Sequence, residues 1–466
     1  MYKKHQHIHF IGIGGIGMSG IAEILRLQGY IVSGCDKDIN SNIINHLRDI
    51  GCIIYKDHDK THINDADVLV YSSAVHNDNP EVIEAINKNI PVIPRAKMLA
   101  EIMRMKHGIA VTGAHGKTTT TSMISHILLE ANYDPTIIIG GVLKSISLNA
   151  KLGKSDILIA EADESDRSFL FLSPCIAVVT NIDLEHLDTY KDLDDIKNTF
   201  KNFLERLPFF GKAILCIDNE NIRSMLPLPD INIIKYGVSD DADITCEVLE
   251  LNKANSVYNV YLNNKNIYKK PKFLLGQITL NVPGHHNILN SLAAIALALE
   301  LELSFEKIKN ALETFKGVER RFEFKGTCNG AEIFDDYGHH PTEIYNTLLI
   351  AQKRANKNLH VIFQPHRFTR TQKLWQDFVN VFSQNTQIKT LYITDIYPAS
   401  ETPIEGINSY KLAQDIQAQN KNIKVIYYPD YASITKDVQN ILQDNDLLLT
   451  IGAGRVNLIA QELAGK

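Results

Sequence analysis

The sequence predicts an α/β fold built as three units, and three observations carry that reading. Short β-branched runs alternate with helical patterns along most of the chain, and two glycine-rich turns each stand between a strand and a helix. Residue-by-residue alternation is confined to about residues 241–282, as in Ser256-Val-Tyr-Asn-Val-Tyr-Leu262. At 466 residues the chain is also longer than one hydrophobic core ordinarily serves.

The first unit is expected over residues 1–106. Its strands are Ile8–Ile11, Ile31–Ser33, Ile53–Tyr55, Val68–Tyr71 and Val92-Ile93, each followed by a turn former, which suits a parallel sheet covered by helices. In "HFIGIGGIGMSGIAEIL", residues 9–25, Gly12, Gly14, Gly15 and Gly17 free the backbone for a tight turn, and the amides opening the next helix suit a diphosphate. Asp36 ends the second strand, where a Rossmann-like unit binds a ribose hydroxyl. Taken alone, this turn fits an NAD-dependent dehydrogenase equally well.

The second unit, residues 107–319, opens on another strand, turn and helix, "GIAVTGAHGKTTTTSMISHILLE". Gly113 and Gly116 turn amides toward phosphate oxygens, Lys117 supplies a point charge for the β and γ phosphates, and Thr118 suits a magnesium ion. The usual outer glycine of such a loop is replaced by Val111. Met123, Ile124, Ile127 and Leu128 share one face of the helix that follows. A bound metal needs oxygen ligands from neighbouring strand ends. Two such ends follow, Glu161-Ala-Asp-Glu-Ser-Asp166 and Asn181-Ile-Asp-Leu-Glu-His-Leu-Asp188. With the alternating stretch at its far end, this unit reads as a mixed sheet of the P-loop ATPase type, closed by apolar helices to about residue 314.

The third unit, residues 320–466, alternates strands at Ile333-Phe334, Val361–Phe363, Leu391–Thr394 and Leu447–Ile451 with helical stretches. The pairs His285-His286 and His339-His340 lack metal-ligand spacing, because adjacent residues on a regular element diverge. They suit anion or nucleotide contact instead, as do the forked donors of Arg320, Arg321, Arg367 and Arg370.

Composition narrows the function classes. A net charge of −6, with no dense basic run, argues against a nucleic acid partner. The six cysteines form no CxxC pair, which suits a reducing cytoplasm. Met1-Tyr2-Lys3-Lys4 and the apolar residues after it are broken by five glycines through Gly20, unlike a secretory leader. The longest apolar run, Ser291–Leu299, is far short of the ~20 residues of a membrane span, so no membrane role is expected.

The ordered set "HFIGIGGIGMSG", "YSSAV" with "NPE", "GAHGKTTTT", "EADESDRSF", "NIDLEHLDTY", "GHHNILN", "RRFEFKG", "DDYGHHPTEI", "QPHRFTRT" and "GAGRV" resembles the Mur ligases of peptidoglycan synthesis. The motifs stand in family order through nearly the whole chain. The resemblance implies an N-terminal Rossmann-like domain for a UDP sugar, a central ATPase domain, and a C-terminal Rossmann-like domain contributing to ATP and amino-acid binding. It implies that Gly12, Gly14, Gly15 and Gly17 hold the UDP diphosphate rather than NAD, with Asp36, Ser72, Ser73 and Arg95 also on the nucleotide sugar. ATP would meet Gly113, Ala114, His115, Gly116, Lys117, Thr118 and Thr119, together with Asn287, Asn290, Arg321 and Asp336. Thr118 and Glu161 would hold one Mg2+ and His186 help hold a second, while Tyr337, His339, Arg367 and Arg370 would lie near the amino acid or the acyl phosphate. Among these, Lys117, Glu161, His186, His339, Arg367 and Arg370 would carry the chemistry.

The implied reaction is ATP-dependent amide formation between L-alanine and the lactyl carboxylate of UDP-N-acetylmuramate, in the cytoplasm, by a monomer or homodimer. "GIGGIGMSG" and "DDYGHHP" favour alanine over the tripeptide used by a related recycling ligase, in which "GICGTFMG" and "DDFAHHP" are typical. Glu185 stands where the family usually has aspartate and is not counted as a ligand. A dehydrogenase would leave Lys117, Thr118 and the acidic strand ends without a use, and a non-catalytic nucleotide sensor would need no amine site.

Overall fold

Five short strands rich in β-branched residues, each closed by a turn, form the first sheet: β1 His7–Ile11, β2 Ile31–Asp36, β3 Ile53–Lys56, β4 Val68–Tyr71 and β5 Val92–Pro94. They lie in the order β3-β2-β1-β4-β5 and pair in parallel throughout. The chain leaves β1 toward β2 on one side and reaches β4 on the other, so the crevice of this doubly wound sheet opens at the carboxyl end of β1. The first glycine turn stands there. This computed structural model describes residues 6–72, 75–76, 78–144, 148–186, 188–263, 272–385, 387–399 and 401–465.

The second sheet has ten strands: β6 His107–Thr112, β7 Thr136–Leu143, β8 Leu148–Lys151, β9 Ile157–Glu161, β10 Ile176–Val179, β11 Lys212–Cys216, β12 Asn232–Tyr236, β13 Ile244–Leu251, β14 Ser256–Leu262 and β15 Phe273–Leu280. Their order is β15-β14-β13-β12-β11-β10-β6-β9-β7-β8. Because β6 is flanked by β10 and β9, both parallel to it, the phosphate-type loop after β6 opens between two acidic strand ends.

The sheet is mixed, as expected, but its antiparallel parts differ from the sequence reading. β13 still pairs in parallel with β12 at Tyr236↔Ile244, and only the four-residue connection to its neighbour β14 forces an antiparallel pair. The antiparallel pair β7 and β8 at the other edge is absent from the sequence reading. Gly140-Gly141 interrupts the apolar run of β7. A Cβ on Gly140 would stand 2.7 Å from a Glu161 carboxylate oxygen, so a larger residue there would displace that carboxylate.

The helix after the loop, Lys117–Glu130, contains four consecutive threonines, poor helix formers because of their restricted χ1. Tertiary burial overrides propensity here. Thr118, Thr120 and Thr121 are buried with Met123, Ile124, Ile127 and Leu128, and the Thr121 hydroxyl donates to the Lys117 carbonyl at 2.8 Å.

The third sheet comprises β16 Glu323–Cys328, β17 Ala331–Asp336, β18 Leu359–Phe363, β19 Ile388–Ile393, β20 Lys424–Tyr427 and β21 Leu447–Ile451, in the order β16-β17-β21-β18-β19-β20. Its strands pair in parallel except at the edge, where β16 runs antiparallel to β17 with an irregularity between Phe324 and Gly326. β16 and β20 are further additions to the sequence reading. "EFKGTC" carries charge and glycine on an edge and has no apolar run to mark it. Side chains such as Leu449, Phe363 and Leu391 fill one face of this sheet, and Ile333, Ile362 and Tyr392 the other.

The chain divides into two compact units. One comprises Met1–Leu249, Val257–Asn281 and Asn287–Lys316; the other comprises Glu250–Ser256, Val282–His286 and Gly317–Lys466. The first two sheets therefore share one unit. No helix among the described residues is long and apolar enough to cross a membrane.

Candidate active site

At the first turn Gly12 adopts φ +72, and the amides of Gly12 and Ile13 both donate to the Cys35 carbonyl, at 2.9 and 3.0 Å. Gly15 caps the helix Ile16–Leu27. The Gly14 amide donates to a carboxylate oxygen of Asp36 at 2.9 Å, so Asp36 fastens the turn as well as standing beside it. A Cβ on Gly17 would lie 3.0 Å from an Arg95 guanidinium nitrogen, which sets that cation over the helix's first turn. Ser72 lies just past β4 and its carbonyl accepts from the Val75 amide. Ser73 lies outside the described residues.

The second turn is clamped by the end of β10. Ala114 donates its amide to the Asn181 carbonyl, the His115 amide donates to the Asn181 side chain at 2.8 Å, and the His115 carbonyl accepts from Thr180 and Asn181 side chains. Gly113 at φ +130 is irreplaceable on two counts, since its conformation is left-handed and a Cβ would stand 2.3 Å from the Thr180 hydroxyl. At Gly116 a Cβ would stand 2.5 Å from the Asn290 amide oxygen. That asparagine also accepts from the Thr120 hydroxyl and donates to Asn287, so the helix His285–Glu300 delivers both asparagines to the loop. Thr119 is half-buried on the first turn of the loop's helix.

Lys117 Nζ donates to the carbonyls of Gly113 and Ala114, at 2.6 and 3.2 Å, and to Glu164 at 3.0 Å. Burial would pull its pKa down, but Glu164, Asp163 and Glu161 outweigh burial and hold the ammonium firmly charged. The Thr118 hydroxyl lies 3.1 Å from both Glu161 oxygens, and the Gly140 amide fixes that carboxylate from behind at 2.8 Å. His186, at φ +54, sits 3.4 Å from both Glu164 and Glu185. Burial opposes its charge, yet the two carboxylates raise its pKa to about 9.

Nothing in the sequence distinguishes Glu164. It is one acid among several in "EADESD", and only the fold buries it between Lys117 and His186. Glu185, set aside in the sequence reading for its extra methylene, lies with Glu164 and His186 in a group whose ligand atoms all fall within 4.8 Å of one another. The longer side chain therefore still reaches. Arg95 connects this edge to the first turn, because its guanidinium also lies 3.8 Å from Asp163.

In the second unit, Asp336 is buried. It accepts from the Phe322 and Gly338 amides and the Thr347 hydroxyl, and burial raises its pKa against the pull of Arg321 and these amides. Arg320 and Arg321 both stack on the Tyr337 ring, and Arg321 lies 3.7 Å from Glu343. Tyr337 meets His339 edge-on, and His339 faces His366, itself stacked on Tyr397. Arg370 bonds His366, and Arg367, at φ +71, bonds Glu401. The His339-His340 pair separates in role, since His340 caps the helix Pro341–Arg354 in a reciprocal capping box with Glu343. His366, absent from the sequence reading, is held neutral with its pKa lowered to about 3 by burial and by His339, Arg370 and Arg367.

A parallel sheet with a diphosphate-type turn, a lysine-bearing phosphate loop beside hard oxygen donors, and a third α/β sheet rich in arginines define a nucleotide-dependent transferase or ligase. The chain belongs to the Mur ligase family: residues 7–107 match its catalytic domain, 111–298 the Mur ligase middle domain, and 320–454 the glutamate ligase domain. It is 49% identical over 464 residues to the UDP-N-acetylmuramate--L-alanine ligase of Syntrophotalea carbinolica, covering 100% of this chain and 98% of that one. The enzyme of the same description from Geotalea daltonii is 48% identical over 466 residues, covering 100% and 99%. The crystal structure of the UDP-N-acetylmuramate-alanine ligase of Thermotoga maritima superposes with a TM-score of 0.82 at 27% identity, covering 99% of each chain. A murein peptide ligase from Psychrobacter arcticus superposes with a TM-score of 0.71 at 25% identity, covering 98% of each.

Proposed function

We infer that this chain is an ATP-dependent ligase joining L-alanine to the lactyl carboxylate of UDP-N-acetylmuramate, with release of ADP and phosphate. The carrying observation is that two phosphate-type turns lie in one compact unit, linked through Arg95, which reaches both Gly17 and the acidic end of β9. A dehydrogenase needs only the first of them. The full-length likeness to alanine ligases supports alanine over a tripeptide.

In this reading residues 1–106 hold the sugar nucleotide on Gly12, Gly14, Gly15, Gly17, Asp36, Ser72, Ser73 and Arg95. Residues 107–319 hold ATP, with Asn287 and Asn290 supporting the loop of Gly113 to Thr119. Residues 320–466 bring Arg321 and Asp336 to ATP, and Tyr337, His339, Arg367 and Arg370 to alanine. The chain works in the cytoplasm, as a monomer or homodimer.

A carboxylate resists attack by an amine because its charge repels the nucleophile and its oxide leaves poorly. The lactyl carboxylate takes the γ-phosphoryl group, ADP departs, and an acyl phosphate forms. The neutral amine of alanine adds to the acyl carbon, and the tetrahedral intermediate expels phosphate. Lys117 trades its loop carbonyls for γ-phosphate oxygens and offsets the charge that spreads there during transfer. Glu164 orients that ammonium from the side.

Thr118 and Glu161 present hard oxygen donors 3.1 Å apart, which fits Mg2+, and they would hold it; once bound it supplies charge against the phosphate oxygens. His186 must give up its proton before its nitrogen can serve as a ligand beside Glu164 and Glu185. The test supplies UDP-N-acetylmuramate and ATP with either L-alanine or the murein tripeptide. Phosphate release is expected with alanine, and release with the tripeptide alone overturns the assignment.

A further inference from the structure

Away from the phosphate loop, a second cluster lies inside the first sheet's unit. His9 on β1, Cys35 on β2 and Glu81 on the helix Pro80–Asn87 are all fully buried, and their ligand atoms lie within 4.8 Å of one another. The Cys35 thiol donates to a Glu81 oxygen at 3.1 Å, and His9 Nε2 lies 3.6 Å from that same oxygen. His58 Nδ1, on the loop after β3, lies 3.2 Å from the Cys35 sulfur and 3.9 Å from Glu81. Four donors bound tetrahedrally to one zinc ion stand about 3.3–3.8 Å apart, which the contacts of Glu81 with Cys35, His9 and His58 and of His58 with Cys35 already approach, while His58 stands outside the group of His9, Cys35 and Glu81 that lies mutually within 4.8 Å.

Two further features point inward. His9 Nε2 is buried without a hydrogen-bond partner, although its other nitrogen is held by the Ser33 hydroxyl at 2.8 Å. That is how a ligating imidazole is oriented, with one nitrogen tethered and the other presented. Glu81 is a buried carboxylate whose charged or chargeable neighbours among the described residues are three histidines and Cys35, with no lysine or arginine. Burial opposes its ionisation, but the nearby His9 imidazole and the bonds from Cys35 and His62 prevail and keep it an anion.

We propose that His9, Cys35, Glu81 and His58 form a structural site for a zinc-class divalent ion within the sugar-nucleotide unit. Nitrogen and sulfur donors select such an ion over magnesium. The ion displaces the thiol proton from Cys35, which is released to solvent. A dication then faces one thiolate, one carboxylate and two neutral imidazoles, so the buried site is electrically neutral. The Cys35 carbonyl already anchors the Gly12 and Ile13 amides, so the metal ties β1, β2, the loop after β3 and the helix of Glu81 to the glycine turn.

The test uses the full chain, stripped with a chelator and held in excess Mg2+ to occupy hard oxygen sites. It is titrated with Co2+ for the spectrum and with Zn2+ for stoichiometry. One Zn2+ per chain surviving desalting is expected, with a thiolate-to-cobalt charge-transfer band in the near ultraviolet and an affinity rising about tenfold per pH unit as the thiol proton is displaced. Cys35→Ser should abolish the band and Cys52→Ser should retain it. Absence of the band in the wild-type chain, or its persistence in Cys35→Ser, overturns the proposal. Should Cys35→Ser fail to fold, histidine NMR of the wild-type chain decides. Zn2+ must shift the His9 resonances and leave those of His126 in place, and unmoved His9 resonances overturn the site.

Discussion

Replacing Gly113 by alanine tests the phosphate loop at its most constrained point. At φ +130 a side chain costs about 1–2 kcal/mol of backbone strain. The new Cβ would also lie 2.3 Å from the Thr180 hydroxyl, 2.8 Å from the Asn181 carbonyl oxygen and 3.0 Å from the Asn181 nitrogen. Two of those three atoms are backbone, so the clash cannot be relieved by a rotamer change, and overpacking of this kind adds about 1–3 kcal/mol. The total is about 2–5 kcal/mol. Displacing Asn181 also loosens the bonds that hold Ala114 and His115, and a shift of about 1 Å at such a site costs on the order of 100-fold in rate. Gly29→Ala is the control, since its φ of +96 carries similar strain while no atom lies within 4 Å of the added methyl. Thermal melts and ADP release should therefore show Gly113→Ala destabilised by more than Gly29→Ala and nearly inactive, with Gly29→Ala fully active. Equal melting temperatures and normal activity in both would refute the steric argument.

Lys117→Ala should lower phosphate release by about 100- to 1000-fold, the loss typical for one preorganised donor to a charged transition state, while circular dichroism reports a folded chain. Full turnover would end its assigned role. Arg95→Ala removes one charged contact, worth about 1.5–3 kcal/mol, so steady-state kinetics should show the KM for the sugar nucleotide raised roughly 10- to 100-fold and the KM for ATP little changed. His186 sets a pH signature. Its pKa is raised from 6.5 to about 9 on folding, so its stabilisation is fully present below pH 6.5 and lost as pH rises through about 9, a difference of about 3 kcal/mol at most. Melts of wild type and His186→Gln at pH 6 and 9.5 should show the gap between them narrowing at the higher pH. A constant gap would mean the histidine titrates normally.

Much of the fold was legible locally. Parallel strands buried on both faces are near-continuous apolar runs, so β4 and β21 announce themselves, and the glycine turns are marked by the residue that their backbone requires. What escaped was structure held by neighbours rather than by its own pattern. β7 is broken by Gly140-Gly141, β16 is a charged edge, and β12 hands over to β13 in parallel within the stretch that alternates. At the candidate site, Lys117 and Thr118 could be chosen from sequence because they follow the glycines of the loop and open its helix, and Glu161 because it ends a strand. Glu164, Asn181 and His366 could not, since nothing distinguishes a buried acid, amide or histidine from its exposed neighbours along the chain.

Sequence alone marked the groups from which the proposed chemistry is built: two glycine-rich turns between a strand and a helix, an acidic edge and a set of arginines, all set by residue type and short spacing. The tertiary structure decided how those groups are used. It placed Glu164 between Lys117 and His186, brought Asn290 into the space that Gly116 leaves open, gave His340 to a helix cap while turning His339 toward His366, and gathered His9, Cys35, His58 and Glu81 from four separate segments. Burial and charge pairing depend on distances between elements remote in the chain, and those distances exist only once the sheets have formed.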